Sequence, residues 1–448
     1  MRRLYDDNLY DFKTPQPSYW EATAPDPESA SPPLEHDESC DVAIIGGGYT
    51  GLSAAYHLAR DHHLDVRVLE AGPIGWGASG RNGGFCCVGG TGFQPRGLIR
   101  HFGVEAARDW YRAQVQAVEL VRSVAIDEGI EVEAFGAAEV EIAHSRRAFA
   151  GLESDHKAMT AVLGLDAELL TRYEVSERIF DTAEQYGALI SKPAFGLHPL
   201  RLCRGLADAA SRRGAQLHSG SEVLEWSRTA DGAHRLRTAG ATLRASKVLF
   251  ATNGFMPERL RAEFFGRTLP IVSAIVVTRP LSDDERLDQG WHTEHPAINS
   301  RHVLNYFRLL PDNRFLFGAR GNTRGTREGE RATYRKIIGT FRRLWPGWAD
   351  AEIEYRWQGL ICMTASLRPA IGRLTHDPHT FFGFGYHGNG VNTATWAGKQ
   401  LADWIGHGHA PDDLPRLVRE LPRRYPIPAL RRAYLRTGLV IANWLDSL

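Results

Sequence analysis

The chain is poor in several things, and each shortage removes a class of function. Only five of its 448 residues are cysteines, Cys40, Cys86, Cys87, Cys203 and Cys362. None forms a Cys-x-x-Cys pair or has histidine at zinc spacing, so no metal site is expected and a reducing, cytoplasmic setting is. Lys plus Arg number 53 and Asp plus Glu 53, which leaves no formal net charge. Without a basic excess there is no field to draw nucleic acid or an anionic membrane, and a small-molecule partner is expected instead. No apolar run approaches the ~20 residues of a membrane helix. Met1 to Glu38 scatters acids and prolines and has no apolar stretch behind a basic start, so no signal peptide is expected. Repeats and low-complexity tracts are also missing. Nothing in the composition fixes an oligomeric state.

What is present is length and pattern. The chain exceeds the ~250–300 residues at which a single core stops growing, so a second, substrate-facing domain is expected. Residues 1–40 read as an extended lead-in, with Ser18-Tyr19-Trp20 as an anchor in a groove. From Asp41 a buried strand (Val42 to Ile45), a glycine loop, a helix (Leu52 to Arg60) and a second strand (Val66 to Leu69) make a βαβ start. Helical spacing runs over Val104 to Ile126, Arg201 to Arg212 and Arg331 to Leu344. Short alternating stretches at 138–143, 269–279 and 303–318 suit an antiparallel sheet. Val248 to Thr252 and Phe381 to Phe384 are apolar on both faces and predict central parallel strands. Leu430 to Leu448 predicts an amphipathic helix docked on the body.

The first chemical motif is Gly46-Gly47-Gly48-Tyr49-Thr50-Gly51, placed between strand and helix. Gly46 allows the tight turn, Gly48 admits a pyrophosphate to the backbone, and Gly51 lets helix and strand pack, while the helix N-terminus supplies partial positive charge. Glu70, followed by Ala71, ends the second strand where a carboxylate can accept both hydroxyls of an adenosine ribose. Next comes Gly75 to Gly84, too glycine-dense for a core element. A nicotinamide dehydrogenase has no use for such a loop. A flavin enzyme does, because long FAD is held from pyrophosphate to ring by backbone N–H groups and small hydroxyls.

The two motifs, with Ser18-Tyr19-Trp20 upstream and Gly383 to Val391 downstream, resemble the D-amino-acid oxidase and glycine oxidase superfamily. The run Ala78-Ser79-Gly80-Arg81-Asn82-Gly83-Gly84 most resembles its gamma-glutamylputrescine oxidase-like branch. The resemblance implies an α/β fold: a doubly wound, Rossmann-like FAD-binding domain (residues 41–95, 196–262 and 355–429) and an α+β substrate domain with an antiparallel sheet (96–195 and 263–354), followed by a helix at 430–448. It implies further flavin contacts at Val223 beside Glu222, at Thr252-Asn253-Gly254, at Gly359, and at Gly388-Asn389-Gly390-Val391, where a following helix (Thr395 to Ile405) points its N-terminus at the flavin. His62-His63 and His407-His409 read as solvated, Cys86-Cys87 as packing, and Arg423-Arg424 with Arg431-Arg432 as a solvated face.

The implied reaction is oxidation of a C–N bond by hydride transfer to the flavin, giving an imine that hydrolyses. Glycine oxidases anchor a substrate carboxylate with arginines at two positions that here hold Ile361 and Gly388. An amine substrate, of the gamma-glutamylputrescine or polyamine kind, is therefore expected, with Tyr306, Arg308, Trp357, Tyr386 and His387 as the catalytic-face residues. Arg308 could instead present a guanidinium to an amino acid. A non-catalytic FAD-binding electron-transfer subunit is the alternative from another class. Cys362 resembles the cysteine that carries covalent flavin in sarcosine oxidases, yet the implied branch holds FAD noncovalently. Sarcosine oxidases have Lys where this chain has Asn392, so a cation that helps dioxygen accept electrons must come from elsewhere, His387 being one candidate.

Overall fold

The apolar run Val42 to Ile45 is buried on both sides because it lies at the centre of a sheet covered on both faces. The computed structural model describes residues 3–14 and 16–447, so Met1, Arg2 and Pro15 of the lead-in and the terminal Leu448 lie outside the described residues. The elements begin with α1 (Tyr19–Thr23), β1 (Glu38–Ile45), α2 (Tyr49–His62), β2 (Val66–Leu69), β3 (Phe85–Cys87), α3 (Pro95–Phe102) and α4 (Val104–Asp127). They continue with β4 (Glu139–Ile142), α5 (Arg146–Lys157), β5 (Ala167–Thr171), α6 (Arg172–Arg178), β6 (Gly187–Ser191), β7 (Ala194–Gly196) and α7 (Pro199–Arg212). Next are β8 (Gln216–His218), β9 (Glu225–Arg228), β10 (His234–Arg237), β11 (Thr242–Phe250), β12 (Thr268–Pro280), α8 (Asp283–Asp288), β13 (Ala297–Asn299) and β14 (Asn305–Leu309). The chain ends with β15 (Arg314–Arg320), α9 (Arg327–Leu344), β16 (Ile353–Thr364), β17 (Ala370–Arg373), β18 (Thr380–Phe384), α10 (Gly390–His407) and α11 (Arg431–Leu445).

The first sheet runs β17-β18-β11-β1-β2-β8. From β18 to β8 every pair is parallel, which places Val248 to Phe250 and Thr380 to Phe382 beside one another as central strands. Helices α2, α4, α7 and α10 bury one face. Trp226 and Leu236, on the antiparallel pair β9 and β10, cover the other together with Phe264.

The second sheet runs β16-β12-β15-β14-β13-β4-β6-β5 and is antiparallel except where β13 meets β4. One face buries Val140, Ile142, Phe307, Phe315 and Phe317 against Phe341 and Trp345 from the α9 region. Because strand side chains alternate, the intervening residues form the opposite face. Paired registers set Glu141, Ile298, Tyr306, Gly318, Ile275 and Trp357 in one row across it. Residues 353–364, which sequence groups largely with the FAD domain, pair along β12 from Thr268 to Thr278.

The ends of the chain are tied down by specific bonds. Ser18 caps α1, and the indole N–H of Trp20 donates to the carbonyl of Asn82 at 2.9 Å. Arg431 is not on a solvated face, as sequence suggests, but is buried in an ion pair with Glu258, because its guanidinium also donates to the Thr268 carbonyl at the end of β12. Helix α11 docks through Arg431 and Leu435, while Val440, Ile441 and Trp444 remain exposed. Among the described residues no helix is long and apolar enough to cross a membrane.

Candidate active site

The cleft opens where β1, β2 and β11 end and α2 begins. Gly46 has φ +115°, and a Cβ there would stand 2.7 Å from the Ala251 carbonyl oxygen, so only glycine makes this turn. Glu70 accepts the Gly47 N–H at 2.6 Å and the Gly72 N–H at 3.0 Å, which fixes its carboxylate at the mouth of the loop. Burial raises its pKa, and those two N–H groups oppose the shift. Ser79 accepts the Tyr49 N–H at 2.9 Å, joining the second glycine loop to α2.

The cleft encloses about 1180 Å³ of empty space, its open mouth included. It is lined by Gly46, Gly48, Tyr49 and Thr50, by Glu70 and Ala71, and by Ala78, Ser79 and Asn82. Val223, Thr252, Asn253, Tyr386, His387, Gly388, Gly390 and Val391 complete the sequence-expected part of the wall. The N-termini of α2 and α10 both open on it, and neither is capped by its own N-cap side chain. The buried hydroxyl of Thr252 has no partner among the described residues. A long cleft with two uncapped helix ends, an acid at the second strand end and an unsatisfied hydroxyl fits FAD.

Other expected cofactor residues stand behind the wall. Gly51 packs on Gly46, Gly80 on Gly75, and Gly254 beside the Leu360 carbonyl. Gly83 lies under Tyr306 and Gly84 under Arg308. Gly359 approaches Arg81, whose guanidinium stacks 3.8 Å from the Trp76 ring centre and donates to the Gln358 carbonyl at 3.2 Å. Burial pushes the Arg81 pKa down to about 9. Asn389 turns away and donates to the Cys87 carbonyl at 2.8 Å.

Of the five expected catalytic-face residues, two line the cleft. Tyr386 shares a 2.7 Å hydrogen bond with Thr50. His387 donates its backbone N–H to the Cys362 carbonyl, and its Nε2 lies 3.3 Å from the Thr364 hydroxyl. Burial holds its imidazole pKa near about 4, so it is neutral at physiological pH and is not the cation that sequence proposed. Tyr306 packs edge-on against Phe85, its hydroxyl 2.9 Å from that of Ser273.

Trp357 and Arg308 correct the expectation outright. Trp357 is 1% exposed and its indole N–H donates to the Arg81 carbonyl at 2.8 Å, so it braces the glycine loop rather than facing substrate. Arg308 is also 1% exposed, donates to the Leu197 carbonyl at 2.7 Å, and has its guanidinium between Trp20 and Phe135. Asn392 is buried against Gln114 of α4.

Sequence missed Phe12, Phe255 and Pro257, which line the cleft from outside the two glycine loops, while Trp76 lines it from within the second. It also missed Arg320. In β15 the period of two puts Arg320 on the same face as Gly318, opposite Ser273, where its charge acts on both Tyr306 and His387. Its Nη1 is buried without a partner among the described residues. Cys362 lines the cleft, and burial pushes its thiol up to about 12.

The family model described as FAD dependent oxidoreductase, DAO, matches residues 41–404. Gamma-glutamylputrescine oxidoreductase of Escherichia coli is 30% identical over 83% of this chain and 85% of its own length. The probable oxidoreductase OrdL of Rhizobium meliloti is 31% identical over 87% of this chain and 88% of its own. Glycine oxidase from Geobacillus kaustophilus shares the fold, with a TM-score of 0.72 over 86% of this chain and 99% of that one at 22% identity. With FAD as its cofactor and a mixed α/β architecture, the chain belongs to the DAO family of FAD-dependent oxidoreductases.

Proposed function

We propose that this oxidoreductase acts on the C–N bond of an amine, of the gamma-glutamylputrescine or polyamine class. The observation that carries the reading is the cleft wall at Ile361 and Gly388, which offers no guanidinium where glycine oxidases fix a carboxylate. FAD would be held by Gly46 to Gly51 and the α2 N-terminus at the pyrophosphate, Glu70 at the ribose, Val223 at the adenine, and Ser79, Asn82, Thr252 and the α10 N-terminus along the rest. When bound it supplies a two-electron acceptor. Residues 41–95, 196–262 and 365–429 would form its domain, with 96–195 and 263–364 presenting the substrate, since β16 lies in the second sheet. The five cysteines, all unpaired in the structure, suit a cytoplasmic enzyme.

The amine must lose its carbon-bound hydrogen with both electrons and a proton from nitrogen. The imine then takes up water and releases a carbonyl compound and the nitrogen fragment. Only a neutral amine can do this. Arg320 places a positive charge at the site and the surrounding protein adds desolvation, so both lower the pKa of a bound amine. Tyr306, bonded to Ser273, fixes the wall over the Gly83 loop.

One observation favours a second reading. The unpartnered Nη1 of Arg320 suits a carboxylate, as an amino-acid substrate would bring. Anaerobic flavin reduction by gamma-glutamylputrescine and polyamines, beside glycine, D-alanine and D-proline, separates the two. Rapid bleaching by the amino acids alone would overturn the amine reading.

A further inference from the structure

The large apolar residues that stand exposed are not scattered evenly over the molecule. Of nine among the described residues, five lie between positions 427 and 444: Ile427, Leu430, Val440, Ile441 and Trp444. A single exposed apolar side chain is ordinary, whereas a cluster marks a surface that meets something apolar. In α11 the residues Ala433, Thr437, Val440 and Trp444 recur every three or four positions and are all exposed, so they form one stripe along the outer side of the helix. Val440 is 70% and Trp444 61% exposed.

The stripe is held outward. At one end of α11 Arg431 is paired with Glu258, and at the other the Asp446 carboxylate accepts the backbone N–H of His302 at 2.8 Å and of Val303 at 3.1 Å. On the inner side Leu435 is buried with Leu269 and Ile271 of β12, and Leu439, Ile361 and Met363 pack against that cluster. With both ends tied and the inner side filled, the helix is fixed with Val440 and Trp444 facing out. Ile361 also lines the cleft, so α11 covers the outside of a strand that forms the cleft wall.

The whole chain has no net charge, yet the charge here is of one sign. Residues 421–445 contain Arg423, Arg424, Arg431, Arg432 and Arg436 and no acid. Arg431 is neutralised by Glu258, while the other four have no acid at ion-pair distance among the described residues. Arg424 donates to the Ala262 carbonyl at 2.8 Å and Arg436 to the Thr323 hydroxyl at 3.0 Å, neutral acceptors that leave the positive charges uncompensated. Arg432 and Arg436, four positions apart, run along one side of the apolar stripe.

An apolar stripe that ends in tryptophan and is edged by arginine fits an anionic lipid surface. The aliphatic side chains enter the boundary of the acyl region, the indole sits at headgroup level, and the guanidinium groups meet lipid phosphates. A second copy of the chain fits less well. Contact of this stripe with itself would bring together two surfaces of like charge, and its five large apolar side chains fall short of the ~20–30 residues a side that a stable dimer needs.

We propose that α11 is a membrane-surface element, lying flat on a bilayer that carries anionic phospholipid, with Val440, Ile441 and Trp444 inserted and Arg432 and Arg436 on the phosphates. The helix rests on the surface and does not span it. Docked in this way, the β16 side of the cleft stands next to the lipid.

The test is co-sedimentation of the holoenzyme with vesicles of phosphatidylglycerol mixed with phosphatidylcholine, beside vesicles of phosphatidylcholine alone. Wild type should bind the mixed vesicles and prefer them to the neutral ones by about tenfold or more, a preference that added salt reduces. The Val440→Ser, Trp444→Ser double variant should lose binding, and Arg432→Gln with Arg436→Gln should weaken it about tenfold. All four positions are at the surface, so flavin content and melting temperature of both variants should match wild type. Failure of wild type to bind the mixed vesicles, which needs no variant, overturns the proposal. So does equal binding to neutral vesicles, or binding that the Val440→Ser, Trp444→Ser variant retains. A wild-type dimer in sedimentation velocity that this variant dissociates, with no vesicle binding, assigns the face to a second copy and overturns the proposal as well.

Discussion

The hydroxyl oxygen of Ser79 accepts the backbone N–H of Tyr49 at 2.9 Å, and a Cβ on Gly48 would stand 2.8 Å from that same oxygen. The valine of Gly48→Val would therefore force the second glycine loop off α2 and fill the place of the pyrophosphate. The expected result is protein that purifies without flavin absorbance. Ser79→Ala removes one hydrogen bond, of about 1 kcal/mol, and should weaken FAD only about fivefold.

Glu70 binds two backbone N–H groups with its two oxygens, one each on Gly47 and Gly72. Glu70→Gln keeps the shape but leaves one N–H facing an amide nitrogen. Loss of a charged acceptor costs about 1.5–3 kcal/mol, so FAD affinity should fall roughly tenfold to a hundredfold. Fluorescence titration of apoprotein with FAD measures it.

The thiol of Cys362 touches the cleft, but burial keeps it protonated with a pKa of about 12. Because the thiolate is the nucleophile, a covalent flavin link is not expected. Flavin should go to the supernatant when the enzyme is denatured, and Cys362→Ser should bind FAD as wild type does. Fluorescence remaining on the denatured band would contradict this.

Arg320 lowers the pKa of an amine bound beside it. Arg320→Met should therefore shift the acid limb of the kcat–pH profile for an amine to higher pH, while Arg320→Lys should keep it nearer to wild type. The same loss of charge should slow reoxidation of the reduced enzyme by air, about tenfold or more. A mere packing role would leave the acid limb where it is.

The stability that Glu139 and Glu141 contribute should fall as pH rises. Glu139 and Glu141 hold their protons to about pH 7 and 8 when folded, whereas an unfolded glutamate loses its proton near pH 4.5. Between those values the folded state binds more protons at these two groups, so their contribution is full below about pH 4.5 and is lost as pH climbs through 7 to 8. Thermal melts of the Glu139→Gln, Glu141→Gln double variant should show a flatter profile over that window than wild type, with its advantage greatest at the alkaline end.

Local chemistry made the cofactor half of this enzyme legible. A turn that only Gly46 can make, and a run apolar at every position such as Val42 to Ile45, announce themselves within a few residues. The substrate half resisted because its contacts are distant. Trp357 looks like a cavity aromatic until its indole N–H is seen to reach the Arg81 carbonyl, 276 residues away. Arg308 likewise finds its acceptor on Leu197. Arg320, Glu139 and Glu141 gain meaning only from strand register, which sets them on the Tyr306 side of the sheet. Helix α10 also starts at Gly390, earlier than its apolar spacing suggests, which brings Val391 to the cleft within a helical turn.

The bond from Trp20 to the Asn82 carbonyl makes the N-terminal segment a clasp on the loop that carries Ser79. Phe12, from the same segment, reaches the cleft itself and meets Trp76 at 4.9 Å between ring centres. Residues 41–404, the span matched by the family model, contain none of this segment. A shortened protein cut to that span would retain both glycine loops and every strand of the first sheet from Asp41 onward, yet its cofactor door would have lost its latch. Minimal versions made for engineering should therefore start before Phe12.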